Sequence, residues 1–326
     1  MVEEKKNSSE EIGRMKKNIK LEESISLKEK TDGVIYNSVG TLRYAPRHNS
    51  EMVSQALLGT HVKVLEKNKE WLKVQTPDDY TGWIIGSVKL MTQNELQQYH
   101  NQPKVIVTST FATSYEKEDD KSLPVSDLVI GNILILKSET EQYFEVGYPD
   151  GRNAYVKQSD TAELSFWLNN IELNGESIVN TAFRFMGVPY LWGGTSSKGL
   201  DCSGFTKNVY FMHGIILSRD ASQQVNQGQL VDSMGDFSTL LPGDMVFFGT
   251  KSKPSTETER DKNSERVVHV GIYIGNNRFI HASDNVHISS FNPDDELYDE
   301  FNAKRYLRAK RYIANGHAVN VNRYSL

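Results

Sequence analysis

Three residues of this 326-residue chain have the types and spacing for covalent chemistry: the single cysteine, Cys202, and two of eight histidines, His269 and His281. Cys202 lies in Gly187-Val-Pro-Tyr-Leu-Trp-Gly-Gly-Thr-Ser-Ser-Lys-Gly-Leu-Asp-Cys-Ser-Gly-Phe205. Phe205, Val209 and Met212 follow at spacings of four and three, the mark of one helical face. Asp201 is placed to cap that helix, because a short carboxylate accepts from an unpaired first-turn amide. Cys202 then sits in the first turn, where the positive helix end favours thiolate over thiol. The alternative is a small buried apolar cysteine.

The histidines favour the chemical reading. Val267-Val-His-Val-Gly-Ile-Tyr-Ile274 alternates as a strand, with His269, Gly271 and Tyr273 on one face and Val268, Val270, Ile272 and Ile274 on the other. Gly275-Asn-Asn277 signals a turn, and Arg278-Phe-Ile-His-Ala282 returns. A three-residue turn sets Ile274 opposite Arg278 and His281 opposite Gly271. His269 is then diagonal to His281 on one face, about 7–8 Å away between Cα atoms. A two-residue turn would place the histidines on opposite faces. A nucleophile on a helix end, a base on a strand and a third group orienting the base is the logic of Cys-His catalysis.

Other elements must position these groups. Glu176–Gly187 reads as a helix capped by Gly187, with Pro189 beyond. Gly214 ends the cysteine helix, and Ser218–Val225 is a polar turn into another helix, capped by Ser218 or Asp220. Leu241-Pro-Gly-Asp244 turns into a strand over Met245–Phe248. Thr250–Arg266 is a polar surface insertion beside the cleft, a gate or merely a tolerated loop. Upstream, Val34–Tyr36, Leu42–Tyr44, His61–Leu65, Trp71–Gln75 and Gly82–Ile85 are short β segments between turn residues. A weaker copy runs over 103–160, with strands at Gly131–Leu136, Tyr143–Val146 and Gly151–Val156. Such a near-repeat is first a structural statement. Residues 1–30 carry mixed charge and read as a solvated arm or one amphipathic helix bearing Ile12, Met15, Ile19 and Leu21.

Lys plus Arg number 37 against 42 Asp plus Glu, a net charge of −5, which gives no support for binding nucleic acid. One cysteine excludes an intramolecular disulfide. No apolar run approaches the roughly 20 residues of a membrane span. As it stands the amino terminus has no secretory signal and reads as cytoplasmic; a removed signal would mean a periplasmic or exported protein. There is no phosphate-cradling glycine loop and no HExxH or paired CxxC spacing, so the reading includes neither cofactor nor metal.

Tyr190-Leu-Trp-Gly-Gly-Thr195, Asp201-Cys-Ser-Gly-Phe205, Leu241-Pro-Gly-Asp-Met-Val-Phe-Phe248, His269-Val-Gly-Ile-Tyr-Ile274 and Phe279-Ile-His-Ala282 together resemble the NlpC-type cell-wall cysteine peptidases. All five blocks occur in the family's order. The resemblance implies an α+β fold: a papain-like cysteine peptidase core preceded by two small SH3-like β-barrels. It implies Cys202 as nucleophile, His269 as base and His281 as the orienting third residue. Gly59–Val74 with Asp79–Ile84 is similar to a bacterial SH3-like barrel. The implied division is an arm over 1–30, barrels over 31–100 and 101–165, and the peptidase over 166–326.

The segments His48–Gln55 and Asp78–Tyr80 resemble the first barrel of dipeptidyl-peptidase VI-like members, where a glutamate and a tyrosine close the cleft. By that likeness Glu51 and Tyr80 meet the substrate's free amino terminus, together with Asp201 and Asp220. The competing readings are an exposed loop carboxylate and a packing aromatic. Tyr190, Trp192, Ser203 and Ser222 complete the implied substrate site. The family often has Ser directly after the aspartate; here Ala221 intervenes, which leaves the contacting serine open. The implied reaction cleaves the γ-D-glutamyl–diamino acid bond of free murein stem peptides with an N-terminal L-Ala, by a monomer, in murein recycling. The alternative is an autolysin on intact wall, with the barrels as wall-binding modules.

Overall fold

The computed structural model describes residues 30–250 and 265–324. The readings for residues 1–29 and 251–264, the charged arm and most of the polar insertion, lie outside the described residues.

Two seven-stranded sheets, antiparallel throughout, come first. The first has the order Met52–Leu57, Val39–Arg43, Thr81–Ile85, Trp71–Gln75, His61–Asn68, Asp32–Ile35, Val88–Met91. The second repeats it strand for strand: Pro124–Val129, Phe111–Tyr115, Asn153–Lys157, Tyr143–Gly147, Ile133–Glu139, Lys104–Val107, Thr161–Glu163. The faint sequence repeat is therefore a repeat of topology. A helix over Gln93–Asn101 joins the sheets, started by a capping box in which Thr92 and Glu95 satisfy each other's backbone amides. Each sheet covers its own apolar cluster, built around Leu42, Val74 and Ile84 in the first and Leu134, Val146 and Val156 in the second.

The strand Met52–Leu57 was not legible in the sequence, for a physical reason. Its middle residues Ser54 and Gln55 are buried although polar, because they face the catalytic unit and not the sheet's own core. A strand without apolar alternation has no period-2 signal.

The catalytic unit is a six-stranded sheet in the order Gln229–Asp232, Tyr306–Arg311, Met245–Thr250, Arg266–Gly275, Arg278–Ala282, Val286–Ser290. Both faces of its central strands are buried. Phe247, Val270, Ile272 and Ile280 meet Phe205 and Val209 of the helix Cys202–Phe211. Val246, Phe248 and Tyr273 meet Phe291 and Tyr306 on the other side. With the two N-terminal sheets this makes the α+β, papain-like architecture with SH3-like sheets ahead of it. Among the described residues no helix is long and apolar enough to cross a membrane.

Three local expectations are corrected. The helix Gly175–Phe183 stops short of Gly187: tighter turns follow, and Gly187 at φ +78° reverses the chain. In the histidine hairpin, Asn276 and Asn277 have φ 52° and 58° and form a two-residue turn closed by Gly275 opposite Arg278. That turn alone would separate the histidines, but Ile274 stands outside the ladder as a bulge. Pairing resumes at Tyr273–Phe279, and Gly271 faces His281. Ile274 therefore does not face Arg278; the extra residue sits in the strand. Val268 is a second bulge and is 44% exposed, so it leaves the apolar face assigned to it.

Candidate active site

Asp201 caps the cysteine helix, its Oδ1 accepting from Gly204 N at 2.7 Å. Gly204 is required here, since a Cβ would lie 2.0 Å from the Gly194 carbonyl oxygen. Asp201 also accepts from Gly193 N at 3.0 Å, which ties the preceding loop to the helix start. The fully buried Arg219 donates to both oxygens of that carboxylate, at 3.2 and 2.5 Å. It donates further to Ser203 Oγ at 2.9 Å and to Ser54 Oγ of the first sheet at 3.1 Å. Burial works against the Arg219 charge, but Asp201 overrides it and raises the guanidinium pKa.

The Asp201 and Ser203 side chains, expected at the substrate site, are both buried and bound into the Arg219 network. Arg219 itself was missed, although it directly precedes Asp220 in the chain. A buried arginine looks like a surface one in a sequence until its carboxylate partner is known.

The cysteine helix packs on the strand Arg266–Gly275, and the Val270 backbone amide lies beside the Cys202 sulfur. His269 Nε2 is 2.7 Å from His281 Nδ1, and His281 Nε2 is 3.1 Å from Ser289 Oγ. All three side chains are buried. With Nε2 engaged, Nδ1 is the His269 nitrogen left to take a proton. His269 then carries its own hydrogen on Nε2 and donates to His281 Nδ1, and His281 donates from Nε2 to Ser289. The chain has one consistent direction. Ser289 was not singled out in the sequence; only the strand Val286–Ser290, paired with the returning strand, brings it into line.

The protonation states differ from the helix-end expectation. Burial, then the charge of Asp201, pushes the Cys202 thiol up to about 12, against the pull of the Val270 and Ser203 amides and of Arg219. Burial, then Arg305 and His287, pushes His269 down to about 3. The helix end is outweighed because the sulfur is shut away from water and the partner of His269 is a second imidazole, not a carboxylate. The resting pair is thiol and neutral imidazole.

The first N-terminal sheet contacts the loop before Cys202. Trp192 Nε1 donates to Glu51 Oε1 at 2.6 Å. Thr195 binds Gln55 twice, through N to Oε1 and through Oγ1 to the carbonyl, each at 2.9 Å. Gly193, at φ +78°, approaches so closely that a Cβ would lie 2.4 Å from the Met52 carbonyl oxygen. Tyr80 is half-buried, and burial followed by the charge of Asp220 raises its pKa. Burial raises the Asp220 carboxyl as well, against the pull of Arg219. Burial, then the charge of Cys202, raises the Tyr190 phenol, and Ser222 is exposed on the short helix Ala221–Gln224.

Residues 187–311 match the NlpC/P60 family and residues 42–86 match the bacterial dipeptidyl-peptidase Sh3 domain. The chain is 34% identical over 275 residues to a γ-D-glutamyl-L-lysine dipeptidyl-peptidase of Bacillus cereus, covering 79% of this chain and 76% of the relative. It is 28% identical to a protein of the same name from Bacillus subtilis, over 70% of this chain and 71% of that one. The crystal structure of an NlpC/P60 family protein from Bacillus cereus superposes with a TM-score of 0.72 at 27% identity, covering 87% of this chain and all of that one.

Proposed function

The chain belongs to the NlpC/P60 family of cysteine peptidases, and from that premise we propose that it hydrolyses the γ-D-glutamyl–diamino acid bond of short peptidoglycan peptides whose N-terminal L-Ala is free. One observation carries the preference for short, free-ended peptides over intact wall: Glu51 of the N-terminal sheet reaches the loop before Cys202 and holds Trp192 at 2.6 Å. Residues 31–100 act as a wall of the cleft, residues 101–165 as its brace, and residues 166–326 as the peptidase. The site is complete in one copy of the chain.

The reaction follows from the geometry. His269 Nδ1 takes the Cys202 proton as the sulfur attacks the γ-carbonyl of D-Glu. Because the resting pair is neutral, charge separation is deferred until substrate is bound. The first-turn amides of Cys202 and Ser203 have no intrahelical acceptor and face the developing oxyanion. The C–N bond breaks, His269 returns its proton to the leaving amine, and a thioester remains on Cys202. His269 then deprotonates a water, which releases the acyl group and restores the thiol. Asp220, Glu51 and Tyr80 hold the ammonium of L-Ala; Tyr190 and Trp192 flank the peptide, with Ser222 as the first serine after Asp220 in the chain.

The experiment compares hydrolysis of the free tripeptide L-Ala-γ-D-Glu-L-Lys, its N-acetyl form and intact sacculi. The free peptide is expected to be cleaved and the other two refused; equal rates would transfer the case to the autolysin. Cys202→Ala is expected to abolish all turnover without unfolding the chain. His281→Gln is expected to keep more activity than His281→Ala, since a glutamine still accepts from His269 Nε2.

A further inference from the structure

Tyr80 lies in a turn that has little to hold it in place. The bonds of the turn run inward: Thr76 N and Oγ1 both donate to the Tyr80 carbonyl, Asp79 N to the Thr76 carbonyl, and Gln75 Nε2 to Asp79 Oδ1. Thr76, Pro77 and Asp78 line a cavity of about 300 Å³ between the N-terminal sheets and the catalytic unit, with Gln55, Lys207 and Phe211 on its other walls. Across this space runs one strong polar contact: Asp78 Oδ2 meets Lys207 Nζ at 2.5 Å, with the Asp78 side chain only 3% exposed. Lys207 lies on the helix that begins at Cys202, so one rigid element carries the nucleophile and the anchor of the opposite wall.

We propose that the Asp78–Lys207 ion pair is the positioning device for Tyr80, and through it the determinant of selectivity for a free amino end. The inference rests on the amine-recognition reading above. Only Asp79 separates Asp78 from Tyr80, and the charges that reach the Tyr80 phenol are those of Asp220, Arg219, Asp201 and Asp78 itself. A turn backed by a cavity is free to swing once its anchor is cut. The aromatic wall then leaves Asp220, and an acylated amino end finds room.

The test is the ratio of kcat/KM for the free tripeptide to that for its N-acetyl form, in the full-length chain. Removing one partner leaves a buried lone charge and threatens folding, so both are replaced together, as Asp78→Leu with Lys207→Leu and, separately, as Asp78→Asn with Lys207→Gln. The ratio is expected to fall about 10-fold or more in both, chiefly through KM for the free peptide, while cleavage of the acetylated peptide holds or rises. The exchanged pair, Asp78→Lys with Lys207→Asp, is expected to recover much of the ratio. An unchanged ratio in the two uncharged variants, or an equal loss on both substrates, overturns the positioning role. A wild-type ratio near one overturns the amine-recognition reading itself, and is seen before any variant is made.

Discussion

The two N-terminal sheets share one strand order but are joined to the catalytic unit in opposite ways. The second is joined through oil: Ile106, Ile130, Ile133 and Leu164 belong to the same apolar cluster as Cys202, Phe205 and Val209. The first contributes no buried residue to that cluster and is seated through polar contacts, from Glu51, Ser54, Gln55 and Asp78. It meets the second sheet through both kinds of contact: Leu58 joins that sheet's apolar cluster and Ile135 packs on Val34 and Met91, while Asn132 donates to the Ser38 carbonyl and Arg152 to that of Tyr36. Apolar contact is non-directional and resists removal; polar contact fixes orientation and is easily re-aimed. The second sheet is fused to the catalytic unit by the first kind of contact, and the first sheet is placed on it by the second kind.

That contrast can be broken at either seam. The largest effect is expected from Arg219→Met, which leaves the buried Asp201 carboxylate without its partner. Losing one member of such a pair costs about 3–5 kcal/mol of stability. Activity should fall by more than 100-fold, because the same carboxylate caps the helix that carries the nucleophile and its uncompensated charge further opposes a thiolate. Thermal melts and turnover of the free peptide read both. At the apolar seam, Ile130→Ala is expected to cost about 2–5 kcal/mol of stability. At a temperature where it remains folded it should leave the ratio of free to acetylated substrate unchanged; a shifted ratio would mean that the brace also recognises substrate.

Smaller effects sharpen the contrast. Glu51→Ala removes one charged contact from an exposed position and is expected to lower kcat/KM for the free peptide about 10-fold, with little change for the acetylated one. Ser289→Ala lies away from both seams and should slow both substrates alike, by about 5- to 10-fold, through a looser His281; Ser289→Thr should restore the rate. The smallest expected effect is none. With His269 depressed to about 3, it stays neutral and competent as a base while pH falls from 7 to 5.5. An ordinary histidine, titrating near 6.5, would lose about tenfold over that span. The thiol, raised to about 12, should also react with iodoacetamide at pH 7 more slowly than a free model thiol.

What could be read beforehand follows from the range of the interactions. The cysteine helix, the histidine strand and its return are local patterns, with capping and alternation within a few residues, and these were legible. Glu51 and Tyr80 could be proposed only through likeness to a family, since nothing near them in the chain marks them as site residues. Arg219, Ser54, Gln55 and Lys207 were not legible at all. Each is a polar residue whose setting depends on a partner elsewhere in the sequence: Arg219 stands 18 positions from Asp201 and 165 from Ser54. The direction of the Cys202 pKa was misread for the same reason, because a helix end is visible in a sequence and the depth at which it lies is not.

The bulge at Ile274 has a consequence of parity. Three residues, Ile274, Asn276 and Asn277, lie outside the regular pairs between Tyr273 and Phe279, and it is the oddness of their number that puts His281 on the face of His269. Remove any one, and the count becomes even: His281 turns to the far side of the sheet while every residue of the triad is still encoded. Gains or losses of two preserve the relation. Length in this hairpin is thus free to vary only in steps of two if the two histidines are to share a face.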